Sequence, residues 1–173
     1  MILTGRRVTL RSAAPEDASR LLPIREEPSV TRWWGNLEPG EMDEFVRDER
    51  TLVIEVDGEV LGAMQYSEED DPMYRHAGID VYLTAARHGE GLGTEAVHLL
   101  ARYLFDERSH HRLTIDPAAG NAAAIRAYEK VGFRPVGVMR DYERGPDGTW
   151  HDGLLMDLLA GELLDDDPPD LGP

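Results

Sequence analysis

Cysteine is absent from this chain of 173 residues. Any group transfer that the protein performs therefore cannot use a thiolate nucleophile, so a covalent intermediate on cysteine is excluded. The absence also agrees with a cytoplasmic location. Six histidines are scattered along the sequence, and the adjacent His110 and His111 would point to opposite faces of a strand, so we predict no metal site.

Long apolar runs and positive charge are scarce as well. No run approaches the roughly 18 apolar residues of a membrane-spanning helix, and the opening MILTGRRV lacks the apolar region of a secretory signal. Lys and Arg number 18 against 34 Asp and Glu, which gives a net charge of −16. This balance disfavours nucleic acids and membranes as partners and would attract a polycation, but by itself it favours a surface charged only for solubility.

The chain length and an apolar content of 41% predict one compact domain, which we place at residues 1–164. Residues 165–173, DDDPPDLGP, combine acids and prolines and predict a disordered tail. Before the tail, strand-like and helix-like segments follow the order β-α-α-β-β-β-α-β-α-β-β, starting with the strand-like RRVTLR. This order indicates a mixed sheet with helices on its faces, an α/β or α+β domain.

Turn and cap residues mark several boundaries. Asp57-Gly58 joins two strand-like runs and predicts a hairpin, and GPDG predicts a longer hairpin near the end of the chain. In NAAAIRAYEK, Asn121 is the predicted N-cap of a helix and Gly132 follows its last residue. PEDASRLL and PGEMDEFVRDER predict the first two helices.

Three glycines, Gly89, Gly91 and Gly93, stand at alternate positions directly before a helix-like apolar run. A helix leaves its first N–H groups unpaired, and glycine lets a phosphate approach them closely. The spacing matches neither the dinucleotide fingerprint nor the P-loop. The loop therefore predicts an anion site, with a flexible turn that binds nothing as the alternative.

GIDVYL, RHGEGLGTEAVHLLARYLF and NAAAIRAYEKVGF together resemble the GCN5-related N-acetyltransferase (GNAT) superfamily. The resemblance implies the GNAT fold, a mostly antiparallel twisted sheet of about seven strands with helices on both faces, and acetyl-coenzyme A as the acyl donor. Over about residues 25–160 the chain is further similar to the aminoglycoside 6'-N-acetyltransferase branch, on RWWGN, DGEVLGAMQ, GEGLGT and TIDP. The short loop SEEDDPMYRHA departs from that branch, whose members carry more aromatic residues there, and leaves the accepted amine open.

In this superfamily the motif Gln/Arg-x-x-Gly-x-Gly/Ala cradles the pyrophosphate of acetyl-coenzyme A, and here His88 replaces the first residue. The N–H near Val81 is the implied partner of the thioester oxygen, because the strands splay there in this superfamily. The cofactor-binding residues that the resemblance implies are Val81, Leu83, His88, Gly89, Gly91, Leu92, Gly93, Thr94 and Asn121.

An amine must lose its extra proton before it attacks a thioester, and a carboxylate can accept that proton. Asp80, on the polar face of GIDVYL, is the candidate base. The alternative is a structural carboxylate whose hydrogen bonds come from nearby backbone groups or from Arg75. Tyr128, on the apolar face of its helix, is the candidate acid for the departing thiolate, with a core tyrosine as the alternative.

The acceptor site is predicted to contain a second carboxylate and an aromatic wall. Asp116 ends the strand HRLTID and would help Asp80 hold ammonium groups, unless it only caps a turn before proline. Trp33 and Trp34 suit a cation or a sugar ring, although one of them is expected to be structural. Gln65 completes the predicted set, and acidic clusters at 26–27, 38–49 and 68–71 are expected to flank the pocket.

These features predict an acetyl-coenzyme A-dependent N-acetyltransferase. Its acceptor would be the 6'-amine of a cationic aminoglycoside, which attacks directly in a ternary complex of a monomer or homodimer. The alternatives are a ribosomal-protein-type N-terminal acetyltransferase, a siderophore-type amine acyltransferase and a non-catalytic coenzyme A-binding module. The presence of both Asp80 and Tyr128 argues against the last of these.

Overall fold

A computed structural model describes residues 1–165, so the predicted tail, apart from Asp165, lies outside the described residues. This part of the chain forms eight strands and five α-helices. The strands are β1 (Ile2–Thr4), β2 (Thr9–Ser12), β3 (Thr51–Val56), β4 (Glu59–Glu69), β5 (His76–Leu83), β6 (Arg112–Ile115), β7 (Arg134–Arg144) and β8 (Trp150–Leu159). The helices are α1 (Ala18–Arg25), α2 (Pro28–Trp34), α3 (Glu41–Phe45), α4 (Leu92–Asp106) and α5 (Ala122–Val131).

The strands form one sheet in the order β1-β2-β3-β4-β5-β6-β8-β7. Only β5 and β6 pair in parallel, and every other pair is antiparallel, as predicted. The additional strand arises at the start of the chain, where 6–11 was predicted to be one strand. Instead the Gly5 N–H donates to the Val8 carbonyl at 2.8 Å, which closes a turn between β1 and β2.

Local signals placed several elements correctly. Asp57 and Gly58 have φ of 51° and 80°, the left-handed pair that a two-residue hairpin requires. Asn121 Oδ1 accepts the Ala124 N–H at 3.2 Å, and Gly132 ends α5 with φ of 118°. The predicted hairpin and the predicted α5 boundaries are therefore confirmed.

The helix α2 was missing from the predicted order, and the second predicted helix forms only over Glu41–Phe45. With seven residues, α2 is too short to show a helical period in the sequence. Its core contacts come from Val30, which is buried, and from Trp34 one turn later, which packs beside Tyr82. Tertiary packing rather than local propensity therefore forms this helix.

The sheet separates two apolar cores. Leu100 and Leu104 of α4 and Val131 of α5 pack on one face, and Leu21 of α1 and Val30 of α2 pack on the other. Helices therefore cover both faces, as predicted. Within residues 1–165, no helix is both long and apolar enough to span a membrane.

The parallel strands β5 and β6 stay together only briefly. Their pairing consists of Ala77 with Leu113 and Gly78 with Thr114. Beyond these pairs β5 continues to Leu83 with β4 on one side only. The sheet therefore opens between the two strands, and this opening positions the site.

Candidate active site

A cavity of about 1150 Å3 lies where β5 and β6 part. Trp34 and Tyr82 line it from the face that α1–α3 cover, and Leu92 and Ala127 line it from the face that α4 and α5 cover. The cavity thus passes through the opened sheet, so two molecules could meet in it from opposite faces.

The backbone of β5 offers hydrogen-bond donors to this cavity. The Thr84 N–H donates to the Leu61 carbonyl of β4 at 2.8 Å, which sets the alternation along the strand. In an antiparallel ladder the N–H groups of odd-numbered residues here, including Val81 and Leu83, point away from β4. They face the gap that β6 no longer fills, so both amides are placed to bind an extended ligand.

The glycine loop has the backbone geometry that the predicted anion site requires. Gly89 and Gly91 have φ of 81° and 78°, and Gly91 is the N-cap of α4. The first hydrogen bond that α4 makes is from the Glu95 N–H to the Gly91 carbonyl at 3.0 Å. The N–H groups of residues 92–94 have no backbone acceptor in the described part of the chain, and these residues line the cavity. Free amides with the positive end of the helix dipole suit a pyrophosphate.

Glu95 fastens this loop to the turn between β1 and β2. Its side chain is only 2% exposed and accepts the N–H groups of Arg7 and Val8 at 2.7 and 3.0 Å. Burial by itself would raise the pKa of Glu95, but these donors outweigh it and lower that pKa. Arg7 also donates to the Glu90 carbonyl at 2.9 Å, so the loop is held from outside the cavity.

His88 lines the cavity, but its ring is already engaged. Its Nε2 lies 3.0 Å from the Leu83 carbonyl oxygen, which can only accept, so Nε2 carries the proton. The imidazole therefore holds the loop against β5, and the residues whose amides follow it in the chain line the cavity. This arrangement explains how the loop tolerates a residue other than Gln or Arg at this position.

Helix α5 forms a second wall of the cavity, beside the glycine loop and β5, and we call this part of the cavity the cofactor half. Small side chains face the cavity at Ala123, Ala124 and Ala127, and Arg126 and Lys130 place two cations along the same wall. Sequence reasoning missed both cations, although their spacing of four residues puts them on one side of a helix. Free strand amides, an anion-binding helix start and cations fit the pantetheine arm and phosphates of acetyl-coenzyme A.

Asp80 lies at the floor of the cavity with no hydrogen bond to another described residue. The residue is exposed to the open cavity, and the protein packed around that cavity still desolvates its carboxylate. This desolvation, followed by the charges of Asp116 and Glu143, raises the pKa of Asp80 to about 6. The predicted alternative partner, Arg75, instead donates to the carbonyls of Arg108 and Ser109 at 2.8 and 2.7 Å. Asp80 can therefore both hold and release a proton near neutral pH.

Tyr128 projects from α5 into the same cavity and is 8% exposed. Burial, followed by the charges of Asp80 and Asp116, raises the pKa of its phenol. Within the described residues its hydroxyl has no hydrogen-bond partner, and its ring packs edge-on against Phe133 at 6.3 Å. The phenol stays protonated at neutral pH and is free to donate.

Asp116 lies at the end of β6, as predicted, and lines the cavity. Its Oδ2 accepts the Tyr142 hydroxyl at 2.6 Å, so it does not merely cap a turn. Glu143, the next residue on β7, also lines the cavity, and burial followed by the charge of Asp116 raises its pKa. Sequence reasoning missed Tyr142 and Glu143, because nothing local shows which residues of β7 turn toward β6.

The paired tryptophans both line the cavity but have different surroundings. Trp34 packs edge-on against Tyr82 at 5.1 Å, and the Arg25 guanidinium lies over its ring at 5.3 Å. Trp33 makes no ring contact of this kind with a buried tyrosine in the described part of the chain, and the Arg32 guanidinium lies 4.6 Å from its ring centre. Trp34 is therefore largely structural, and Trp33 is the better candidate for the acceptor wall.

The structure does not bring Gln65 or the acidic clusters to the cavity. The Gln65 amide donates to Asp48 at 3.3 Å and Thr51 at 3.2 Å. Glu27 accepts the Thr84 hydroxyl, and Glu68 pairs with Arg108 and His110. These carboxylates hold loops and strand ends together. The cavity's own carboxylates are Asp80, Asp116 and Glu143.

The left-handed conformation of Gly91 provides a test of the loop. Replacement of Gly91 by alanine is expected to destabilise the fold by about 1–2 kcal/mol, because an L residue with φ of 78° is strained. It should also weaken acetyl-coenzyme A binding about tenfold or more, because relief of this strain would move the amides at the helix start. Gly137→Ala is the matched control, since φ there is not positive and a methyl group meets open space. Thermal unfolding and calorimetry measure the two effects, and unchanged affinity in Gly91→Ala would contradict the assignment.

Known proteins match this chain in sequence and in fold. The acetyltransferase (GNAT) domain model matches residues 7–134. The aminoglycoside N(6')-acetyltransferase type 1 of Klebsiella pneumoniae is 30% identical over 164 residues, which cover 82% of this chain and 79% of that enzyme. Mycobacterium smegmatis RimJ, solved with coenzyme A disulfide, has a TM-score of 0.80 at 25% identity and covers 91% of this chain and 84% of its own. AAC(6')-Ib, solved with paromomycin and acetyl-coenzyme A, has a TM-score of 0.73 at 28% identity, with 90% and 95% covered.

The segment that matches the family model contains β5, the glycine loop and α5, which together form most of the cavity. The resemblance to acetyltransferases and the fold that it implied are both confirmed. The chain therefore belongs to the GNAT family, whose enzymes transfer an acetyl group from acetyl-coenzyme A.

Proposed function

We propose that this enzyme acetylates the 6'-amine of a cationic aminoglycoside. The observation that carries this proposal is the meeting of Asp80, Asp116 and Glu143 in one cavity that Trp33 also lines. Carboxylates attract ammonium groups, and an aromatic face suits a sugar ring or a cation. The similarity to an aminoglycoside N(6')-acetyltransferase supports the same acceptor class.

In the proposed reaction the protein holds both substrates and moves two protons. Bound acetyl-coenzyme A supplies an acetyl group in a thioester, which a neutral amine can attack. The amides of residues 92–94 would hold its pyrophosphate, and those of Val81 and Leu83 would hold its extended arm. Asp116 and Glu143 draw the acceptor ammonium into the cavity, where Asp80 takes one proton from its nitrogen.

Tyr128 serves the leaving group in this scheme. As the nitrogen–carbon bond forms and the carbon–sulfur bond breaks, negative charge develops on sulfur, and the Tyr128 hydroxyl would donate a proton to it. The second proton that the nitrogen gives up, carried by water, would restore the phenol. The proton that Asp80 gained returns to water. Since the pKa of Asp80 is about 6, most Asp80 is ionised and ready to accept a proton at pH 7.

Thiol release from acetyl-coenzyme A tests the proposed acceptor class. We expect rapid release with kanamycin-type aminoglycosides, slow release with peptides that carry a free N-terminus, and only background hydrolysis without an amine. Mass spectrometry of the product should show one acetyl group at the 6'-amine. Faster transfer to N-terminal peptides would contradict the proposal and favour the activity suggested by the likeness to RimJ.

A further inference from the structure

The shortest side-chain hydrogen bond in the cavity joins β7 to the end of β6. The Tyr142 hydroxyl donates to Asp116 Oδ2 at 2.6 Å, a short distance that is typical of a phenol bonded to an ionised carboxylate. Tyr142 is 49% exposed, so burial of its ring accounts for little of its placement. The bond to Asp116 is the specific feature of this side chain.

A backbone irregularity turns Tyr142 toward Asp116. Met139 pairs with Gly153, and Glu143 pairs with His151. Between these two pairs β7 therefore has three residues, 140–142, where β8 has only Asp152. Within this bulge Asp141 has φ of 48°, a left-handed conformation that residues other than Gly, Asn and Asp rarely adopt, and its N–H donates to Asp152 at 2.9 Å. Bulges of this kind reorient side chains beside active sites.

Gly153 leaves the space that the Tyr142 ring occupies. A Cβ atom at this position would lie 2.8 Å from Tyr142 Cδ1 and 3.1 Å from the Met139 methyl carbon. The ring therefore lies against the backbone of β8, and its hydroxyl can reach past that strand to Asp116. The bulge and the glycine together make one specific contact possible.

We propose that Tyr142 is a positioning residue of the acetyl transfer. Its hydroxyl binds one oxygen of Asp116 and holds that carboxylate turned toward the acceptor, and so leaves Asp80 as the carboxylate that takes the proton. This inference rests on the proposed function, because it assigns the two carboxylates their separate roles in the same reaction.

The charges around the pair support this division of roles. Asp80 faces Asp116 from β5, Glu143 adds a negative charge from β7, Tyr128 faces both from α5, and Arg32 lines the cavity from α2. The Tyr142 hydroxyl donates to Asp116 and offsets part of its negative charge, while Asp80 has no such donor and has the raised pKa. The bond to Asp116, followed by burial, raises the pKa of Tyr142 to about 12, so the phenol remains a donor throughout the working pH range.

Tyr142→Phe tests the proposal by removing only the hydroxyl. Without this donor the negative charge of Asp116 acts more fully on Asp80 and raises the pKa of Asp80 further, so the acidic limb of the kcat/KM profile should move to higher pH, by roughly 0.5–1 unit. At pH 7 we expect kcat/KM for the amine to fall several-fold, with the KM for acetyl-coenzyme A unchanged. In an Asp116→Asn background, Tyr142→Phe should have no further effect. An acidic limb at the same pH in Tyr142→Phe and wild type would overturn the proposal.

A second variant and a second measurement separate this inference from the acceptor assignment. Gly153→Ala keeps the hydroxyl but displaces the ring, and it should move the acidic limb in the same direction. Titration of aspartate side chains by carbon-13 NMR needs no acceptor, and the Asp80 signal should shift its midpoint upward from about pH 6 in Tyr142→Phe. If wild type acetylates no aminoglycoside but the Asp80 midpoint moves, the acceptor class is wrong and the Tyr142 assignment stands. An unmoved midpoint would refute the Tyr142 assignment for any acceptor.

Discussion

Asp80→Asn is expected to lower kcat/KM for the amine acceptor by roughly 10²–10³-fold at pH 7, because an amide at this position cannot take the proton from the attacking nitrogen. In wild type, activity should fall with an acidic limb centred at about pH 6, where Asp80 becomes protonated. That limb should be absent from the remaining activity of the variant. Initial rates of thiol release between pH 5 and 9 measure both effects.

The matched control for this substitution is Asp157→Asn. Asp157 lies on β8, pairs with Arg112 at 2.9 Å and does not line the cavity, so its replacement should leave the pH profile unchanged. Calorimetry should show that Asp80→Asn still binds acetyl-coenzyme A. If Asp80→Asn retained wild-type rates with an unaltered acidic limb, another group would have to be the base.

Tyr128→Phe should reduce kcat by about 10–100-fold and leave the affinity for acetyl-coenzyme A within about twofold of wild type. The substitution removes one hydroxyl that makes no hydrogen bond within residues 1–165, so the fold should lose little stability. Steady-state kinetics separates kcat from KM, and calorimetry gives the affinity.

Tyr66→Phe is the comparison for this second substitution. Tyr66 is another buried tyrosine that lies outside the cavity and packs edge-on against Tyr103 at 6.5 Å. Its replacement should leave kcat unchanged. A kcat for Tyr128→Phe equal to that of wild type would remove Tyr128 from the proposed mechanism and leave its role to water.

The cofactor half of the cavity was accessible from the sequence because its determinants are local. Gly89 and Gly91 adopt left-handed conformations that other residues avoid, and a helix starts immediately after them. The strand that contributes Val81 and Leu83 precedes the loop directly in the chain. Most of the predicted cofactor residues therefore come together through short connections. Asn121 is separate in the chain and reaches the cavity as the N-cap of α5.

The acceptor half depends on contacts between distant segments. Tyr142 reaches Asp116 only because β8 inserts between β6 and β7 and because β7 is bulged. Local sequence could not reveal that Gln65, although opposite Asp80 in the sheet, is held by Asp48 and Thr51 instead. Glu27 and Glu68, from two of the predicted acidic clusters, are engaged in the same non-local way.

The sequence by itself determined the turns, the helix caps and the anion-binding loop, since each follows from backbone preferences within a few residues. It also determined the family, through motifs that span the chain. Only the tertiary structure decided where β5 and β6 separate, which carboxylates meet there and which tyrosine restrains one of them. The physical reason is that hydrogen bonding, desolvation and charge repulsion depend on distance in space, and strand order and register set those distances.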